Sequence, residues 1–281
     1  MCTEMEETMT GSDPSIKDAA DAVRGIVEAV PVYQDALQPA AREIGRALET
    51  VAKTVHIALA PVAALVWGFE QIRDFVSTRV AEKLCNTPQD EIVQPKPHVA
   101  GPILESLRYT GHAEELRELY ANLLAASMDL KTTSMAHPSF VEIIKELTPD
   151  EAKLVRHMST LGRRPILTIQ AANLEDGKGK NDILVNFSVL GEGAGCEYPN
   201  MTPSYLDNLA RQGLISVRYD VQYTAPDAYE ILENHAIVLE VMRLIDEKEG
   251  FKSNTERGAV VVSEFGKQFI KTCVVDHREI R

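Results

Sequence analysis

Seven histidines, His56, His98, His112, His137, His157, His235 and His277, are the side chains of this 281-residue sequence best suited to acid–base or metal chemistry. No two of them stand four residues apart, and none belongs to an HExxH or a Cys/His cluster, the spacings that let side chains share a zinc ion. They read as surface or partly buried histidines, and neither a metal nor a cofactor is expected. Cys2, Cys85, Cys196 and Cys273 are far apart and form no CxxC pair, which points to free thiols in a reducing compartment. Residues 191–195 (GEGAG) are glycine-rich, yet no Lys-Ser or Lys-Thr follows to grip a phosphate, so they read as a flexible loop. Carboxylates abound, but no local pattern picks out a pair with divergent acidities. Neither a GxSxG elbow nor a kinase motif set is present. No catalytic residue is assigned, and the chain is expected not to be an enzyme.

Two segments carry residues suited to binding instead. Residues 55–69 (VHIALAPVAALVWGF) lie in a run of sixteen residues without a formal charge between Lys53 and Glu70. A membrane-spanning helix needs about twenty apolar residues, so a constitutive span is not expected. Two readings stay open: a buried core helix, or a segment masked at rest that meets a membrane when released. Val55, Leu59, Val62 and Leu65 supply the apolar side, and Trp67 and Phe69 at the end suit an interfacial anchor. The second segment is 203–212, where Tyr205, Asn208, Arg211 and Gln212 form a candidate contact face. Arg211 is its one cation and Asp207 shares the helix, so the phosphate neutralisation that dominates nucleic-acid affinity is missing. Contact with a protein is the preferred use of this face.

Charge agrees with that preference. Residues 1–147 hold 13 Lys+Arg against 22 Asp+Glu, and the remainder holds 16 against 20, giving −13 in all. Neither part has a basic excess for nucleic acid. Residues 1–13 are acidic and polar, unlike a secretory signal or transit peptide, so a cytoplasmic protein is expected, with membrane association once active as the alternative.

The elements that position these segments follow from periodicity. Apolar residues at helical spacing run from Ile16 to Val30 after the capping Ser15, and again from Leu37 onward, broken at Pro31 and Pro61, with a further helix over 62–84. Residues 86–102, with Pro88, Pro95, Pro97 and Pro102, are expected to run extended over the surface. Helices are predicted over 102–109, 112–128 and 139–146. Beyond Leu147, Thr148-Pro149-Asp150-Glu151 is a helix start, with Thr148 as cap and Pro149 in the first turn. Strands are predicted over 165–170, 183–189, 214–218 and 259–263. Helices are predicted from Thr202-Pro203 to Gln212, over 229–247 and over 264–273. Gly213 is placed to end the first of these in the left-handed conformation. The order helix, strand, helix, strand resembles a winged helix, with 203–212 in the recognition-helix position. The expected fold is mainly α with a smaller α+β part. It comprises an acidic tail (1–14), an Ala-rich multi-helix domain (15–147) and a winged-helix-like domain (148–281).

The strings EAVPVYQDALQPAAREIGRALETVAKTVHIALAP (28–61), VWGFEQIRDFVSTRVAEKL (66–84), AGPILESLRYTGHAEELRELYANLLAASMD (100–129) and HPSFVEIIKELTPDEAKL (137–154) are similar to the Abi-alpha family of bacterial abortive-infection proteins. YLDNLARQGLI (205–215) and SEFGKQFIKTCV (263–274) carry the resemblance more weakly. The resemblance implies a role in phage defence, in which an infected cell stops growing or dies before progeny are released. It brings no catalytic residue, ligand or cofactor. Two mechanisms are compatible with it. In one, the helical part perturbs a membrane once triggered while the second part senses a phage or host protein. In the other, the helices are scaffold and the winged-helix-like part binds a protein or nucleic acid. Self-association is compatible with both.

Overall fold

The computed structural model describes residues 67–174 and 179–280. The first described helix is α1 (Phe69–Phe75), which continues through a π turn at Val76–Val80 into α2 (Ala81–Lys83). Next come α3 (Pro97–Thr110), α4 (Glu114–Met128), α5 (Ser139–Glu146) and α6 (Pro149–Thr160). The remainder alternates: β1 (Pro165–Asn173), β2 (Lys180–Phe187), α7 (Leu190–Gly193), α8 (Thr202–Arg211), β3 (Ile215–Arg218), α9 (Glu230–Glu233), α10 (Ala236–Asp246), β4 (Phe251–Val262) and α11 (Glu264–Phe269), the last running into a π turn at Ile270–Val274. The described chain is therefore mainly helical, with one small antiparallel sheet of strand order β2-β1-β4-β3.

Helix α4 lies at the centre. Every residue from Leu119 to Met128 is buried, a helix apolar on all sides as expected of one surrounded by others. Within this buried stretch Asn122 donates from Nδ2 to the carbonyl of Cys273 at 2.9 Å. A continuous core joins α1, α3, α4, α5 and α6 to α8, α11 and the near face of the sheet, through residues such as Ile103, Leu123, Phe140, Leu154, Leu206 and Phe269. Each such side chain contributes about 1.5–3 kcal/mol of burial free energy. A second, smaller core lies on the other sheet face, where Leu167 and Ile169 of β1 meet Tyr229, Leu232, Val238 and Ile245 of the α9–α10 segment. Successive residues of β1 thus serve opposite faces: Ile166 joins the first core and Leu167 the second.

The caps read from sequence are in place where they are local. Thr148 Oγ1 accepts the Glu151 amide at 3.2 Å, and the Glu151 carboxylate accepts the Thr148 amide at 2.7 Å, a reciprocal capping box. Gly213 stands at φ +75° and turns α8 into β3. Four local expectations are corrected. Residues 97–102 are not extended: α3 starts at Pro97 and carries Pro102 inside it, because Val99 and Ala100 are buried and their burial outweighs the missing amide donor. Residues 229–247 are not one helix. The chain breaks at Asn234–His235, where His235 Nδ1 caps α10 by accepting the Ile237 amide at 3.3 Å. Strand β4 begins eight residues before Ala259, at Phe251, and pairs without interruption along β1 from Asn173↔Phe251 to Pro165↔Ala259. The GEGAG stretch is not a free loop: Leu190–Gly193 is a helical turn, and Gly191 is packed so closely that a Cβ there would lie 2.1 Å from Thr202 Oγ1.

Candidate functional site

Helix α8 presents its expected contact residues to the rest of the chain. The Tyr205 hydroxyl donates to Asp150 Oδ2 at 3.1 Å. The same buried carboxylate accepts the backbone amides of Glu197 at 2.8 Å and Tyr198 at 2.9 Å, with Lys153 Nζ at 3.4 Å. Burial pushes the Asp150 carboxyl toward protonation, but these donors outweigh it and hold its pKa below the usual carboxylate range. Asn208 donates from Nδ2 to Glu151 Oε1 at 2.7 Å, so it fastens α8 to the capping box of α6. Arg211 lies 2.7 Å from Glu146 Oε2, and it holds that carboxyl below its ordinary pKa. Gln212 is half-buried beside the same carboxylate. Three of the four residues are thus tied to acids at the α5–α6 junction, and the one cation among them is already countered.

Of the apolar segment, Val55, Leu59, Val62 and Leu65 lie outside the described residues. Trp67 is partly buried. Its amide donates to the Arg108 carbonyl at 3.1 Å, its ring meets Phe75 edge-on at 5.7 Å, and its indole covers Gly111, where a Cβ would collide at 2.3 Å. Phe69 is exposed. Among the described residues no helix is long and apolar enough to cross a membrane. Among them, likewise, no three His, Cys, Asp or Glu side chains converge as metal ligands. Cys196 is pushed up to about 11 by burial and by Asp150, and burial raises the Cys273 thiol further, so neither is a ready nucleophile at neutral pH.

Two features were not read from the sequence. The first is a buried tie on the C-terminal segment. Lys83, 3% exposed, lies 3.1 Å from Glu118 Oε2 and 3.3 Å from Asp276 Oδ2, and the neighbouring His277 places Nε2 2.9 Å from Asp129 Oδ2 in full burial. The Arg278 guanidinium holds the Asp276 carboxyl well below the usual range, helped by the Arg278 amide and Lys83 and opposed by burial. These partners are up to 193 residues apart, and nothing local marks them.

The second feature is an apolar outer surface. Helix α10 (AIVLEVMRLID) buries Val238 and Ile245 but leaves Ile237, Leu239 and Leu244 about half exposed, at 50%, 51% and 54%. On β2, an edge strand, Ile183 and Val185 are exposed as well. Between strand and helix runs a cavity of about 240 Å³, with Ile183, Val241, Leu244 and Phe251 among its walls. The signal was present in the sequence: α10 has more apolar residues than one buried face can hold.

A family model described as abortive infection alpha matches residues 68–273. No curated protein matches. Among solved structures, an uncharacterized protein from the hydrocarbon-degrading marine bacterium Alcanivorax borkumensis SK2 is similar at 20% identity, over 52% of this chain and 96% of that one, with a TM-score of 0.35.

Proposed function

Since the chain belongs to the abortive infection alpha family, we propose that it is a non-enzymatic defence protein that acts by binding a protein partner along β2 and α10. The observation that carries this is the edge strand itself. β2 has one neighbour in the sheet, and its outer side combines unpaired backbone groups with exposed Ile183 and Val185 beside the half-exposed Leu244. An edge strand flanked by an apolar groove suits an extended peptide, which adds backbone hydrogen bonds for affinity and apolar side chains for choice. A partner segment of extended, apolar character, from phage or host, is the occupant this surface fits.

The strand order supports reading residues 148–281 as a winged-helix-like part. α6, β1, the α7–α8 pair, β3 and β4 follow in that order with β1, β4 and β3 adjacent in the sheet, while β2, inserted after β1, and the α9–α10 segment, inserted between β3 and β4, are additions to that pattern. Its use for nucleic acid is disfavoured, because Arg211 is spent on Glu146. Conformational release, if it accompanies binding, acts on the Lys83–Asp276 and Asp129–His277 ties that hold the C-terminal segment to α2 and α4. Membrane action by residues 55–69 rests on their composition alone, and Trp67 is engaged in packing on Gly111. The test is a photo-crosslinking amino acid placed at position 183 or 244 in infected cells, with exposed position 145 as control. The expected result is one protein adduct from 183 and 244 that appears on infection. Absence of adducts, or equal adducts from 145, overturns the proposal.

A further inference from the structure

A second cavity lies away from the β2–α10 surface, between the C-terminal end of α6, strand β4 and the π turn after α11. It is an open groove of about 550 Å³, within the size range of small-molecule sites. Its floor is aliphatic, from Val221, Val260, Val262, Ile270 and Val275. Its polar rim is Ser159, Arg164, Tyr223, Lys267 and Lys271, so three cations face it and none of its walls is acidic. In a chain of net charge −13 such a one-signed groove is unexpected, and low-dielectric walls focus its field on an entering anion.

The cations are arranged for use. Arg164 donates from Nε and Nη2 to the Met158 carbonyl at 3.0 and 2.7 Å, and from Nη2 to the Leu161 carbonyl at 2.7 Å. These bonds close the end of α6 and hold the guanidinium in position on backbone carbonyls, whereas the carboxylate of Asp227 is taken by the neighbouring Arg163. Lys267 has Glu264 as a surface partner, whereas Lys271 has no ion pair among the described residues. The Tyr223 hydroxyl accepts the Arg164 amide at 2.8 Å and keeps its own proton for donation.

We infer that this groove binds an amphiphile with an anionic head, phosphate or carboxylate, and an aliphatic tail. The head pairs with Lys271, Lys267 and the free side of Arg164, and the tail lies on the valine and isoleucine floor. A nucleotide fits less well: one aromatic ring, Tyr223, is available for stacking, and no amide or carboxylate side chain stands in the walls to read a base edge. The source of the amphiphile is either a free acyl or alkyl anion or an anionic lipid in a bilayer.

The experiment is calorimetric titration of the full chain with dodecyl phosphate below its micelle concentration. Inorganic phosphate and ATP are run in parallel, and co-sedimentation with phosphatidylglycerol vesicles forms a separate arm. Saturable binding of dodecyl phosphate is expected, at least tenfold tighter than inorganic phosphate, because each buried methylene adds to affinity. The Lys267→Gln/Lys271→Gln double variant, at two exposed positions, is expected to weaken it about threefold to tenfold. Vesicle binding with the same lysine dependence, in place of monomer binding, supports the site and assigns the head to lipid. Binding that ignores the lysines, ATP binding as tight as dodecyl phosphate, or no binding of dodecyl phosphate and vesicles alike overturns it.

Discussion

Replacing Asp276 with Asn keeps the shape of the side chain and its backbone cap, since an amide oxygen can still accept the Arg278 amide that Asp276 Oδ1 accepts at 3.0 Å. What is lost is the charge facing the buried Lys83 and the exposed Arg278, the second of these being largely screened by water. Breaking a fully buried pair costs about 3–5 kcal/mol, because the other charge is left uncompensated. Here the cost is smaller for two reasons: Glu118 remains 3.1 Å from Lys83, and the Asp276 side chain is 24% exposed. An expected loss of about 1–2 kcal/mol follows, or about 3–6 °C in Tm for a chain of this size. Lys83→Met is expected to cost less than the charge change, since Glu118 keeps Arg79 and Asp276 keeps Arg278. In that background Asp276→Asn should cost under about 0.5 kcal/mol, a coupling of about 1 kcal/mol in a double-mutant cycle read by urea unfolding. The pH dependence has a definite sign. A carboxyl whose folded pKa is depressed contributes stability that is fully present above its unfolded pKa of about 3.9 and is lost as pH falls through the folded value. The wild type and Asp276→Asn should therefore differ by a constant amount from pH 5 to 7, and the difference should shrink progressively as pH falls below about 4 toward the much lower folded value. An equal cost of Asp276→Asn with and without Lys83 would refute the tie.

Asp150→Ala leaves the Tyr205 hydroxyl and the amides of Glu197 and Tyr198 without their acceptor, so a loss of about 2–4 kcal/mol is expected by thermal or urea unfolding. Gly191→Ala places a methyl against Thr202 Oγ1 and should destabilise by about 1–3 kcal/mol; adding Thr202→Ala should recover part of it in the same assay. Thiol labelling at pH 8, followed by peptide mass spectrometry, should modify the exposed Cys85 well before Cys196 or Cys273, whose thiols are raised by burial.

What could be read in advance was local. The Thr148-Pro149-Asp150-Glu151 start and the Gly213 turn are chemistry within one turn of chain, and helix α5 has the predicted ends because one amphipathic face defines it. What escaped depends on distant partners. The first eight residues of β4 read FKSNTERG, with no apolar alternation. It is a strand because β1 offers it a ladder, and because Gln170 bonds Glu256 at 3.0 Å and Asn254 at 2.8 Å across the sheet. Pro102 argues for a helix start in any local reading, and only the burial of Val99 and Ala100 moves that start to Pro97. The break before α10 lies at Asn234–His235, where His235 Nδ1 accepts the Ile237 amide, while the Tyr229 hydroxyl, held between the Tyr223 amide and the Gly258 carbonyl, ties the start of α9 to β4. For the candidate site, Tyr205, Asn208 and Arg211 are legible as polar residues on one helix, but their internal partners Asp150, Glu151 and Glu146 lie 55 to 65 residues away. The Lys83–Asp276 tie had no sequence signal at all.

The proposal that this abortive-infection protein works through its β2–α10 surface is tested most directly by phage plating on cells expressing Leu244→Lys or Ile183→Lys. Both positions are more than half exposed, so the variants should keep the wild-type Tm within about 2 °C, as surface changes do. Plaque numbers are expected to rise to those of cells lacking the protein, while a control substitution at another exposed position, Lys145→Gln, still protects. Full protection by Leu244→Lys and Ile183→Lys, at wild-type protein levels, would contradict it.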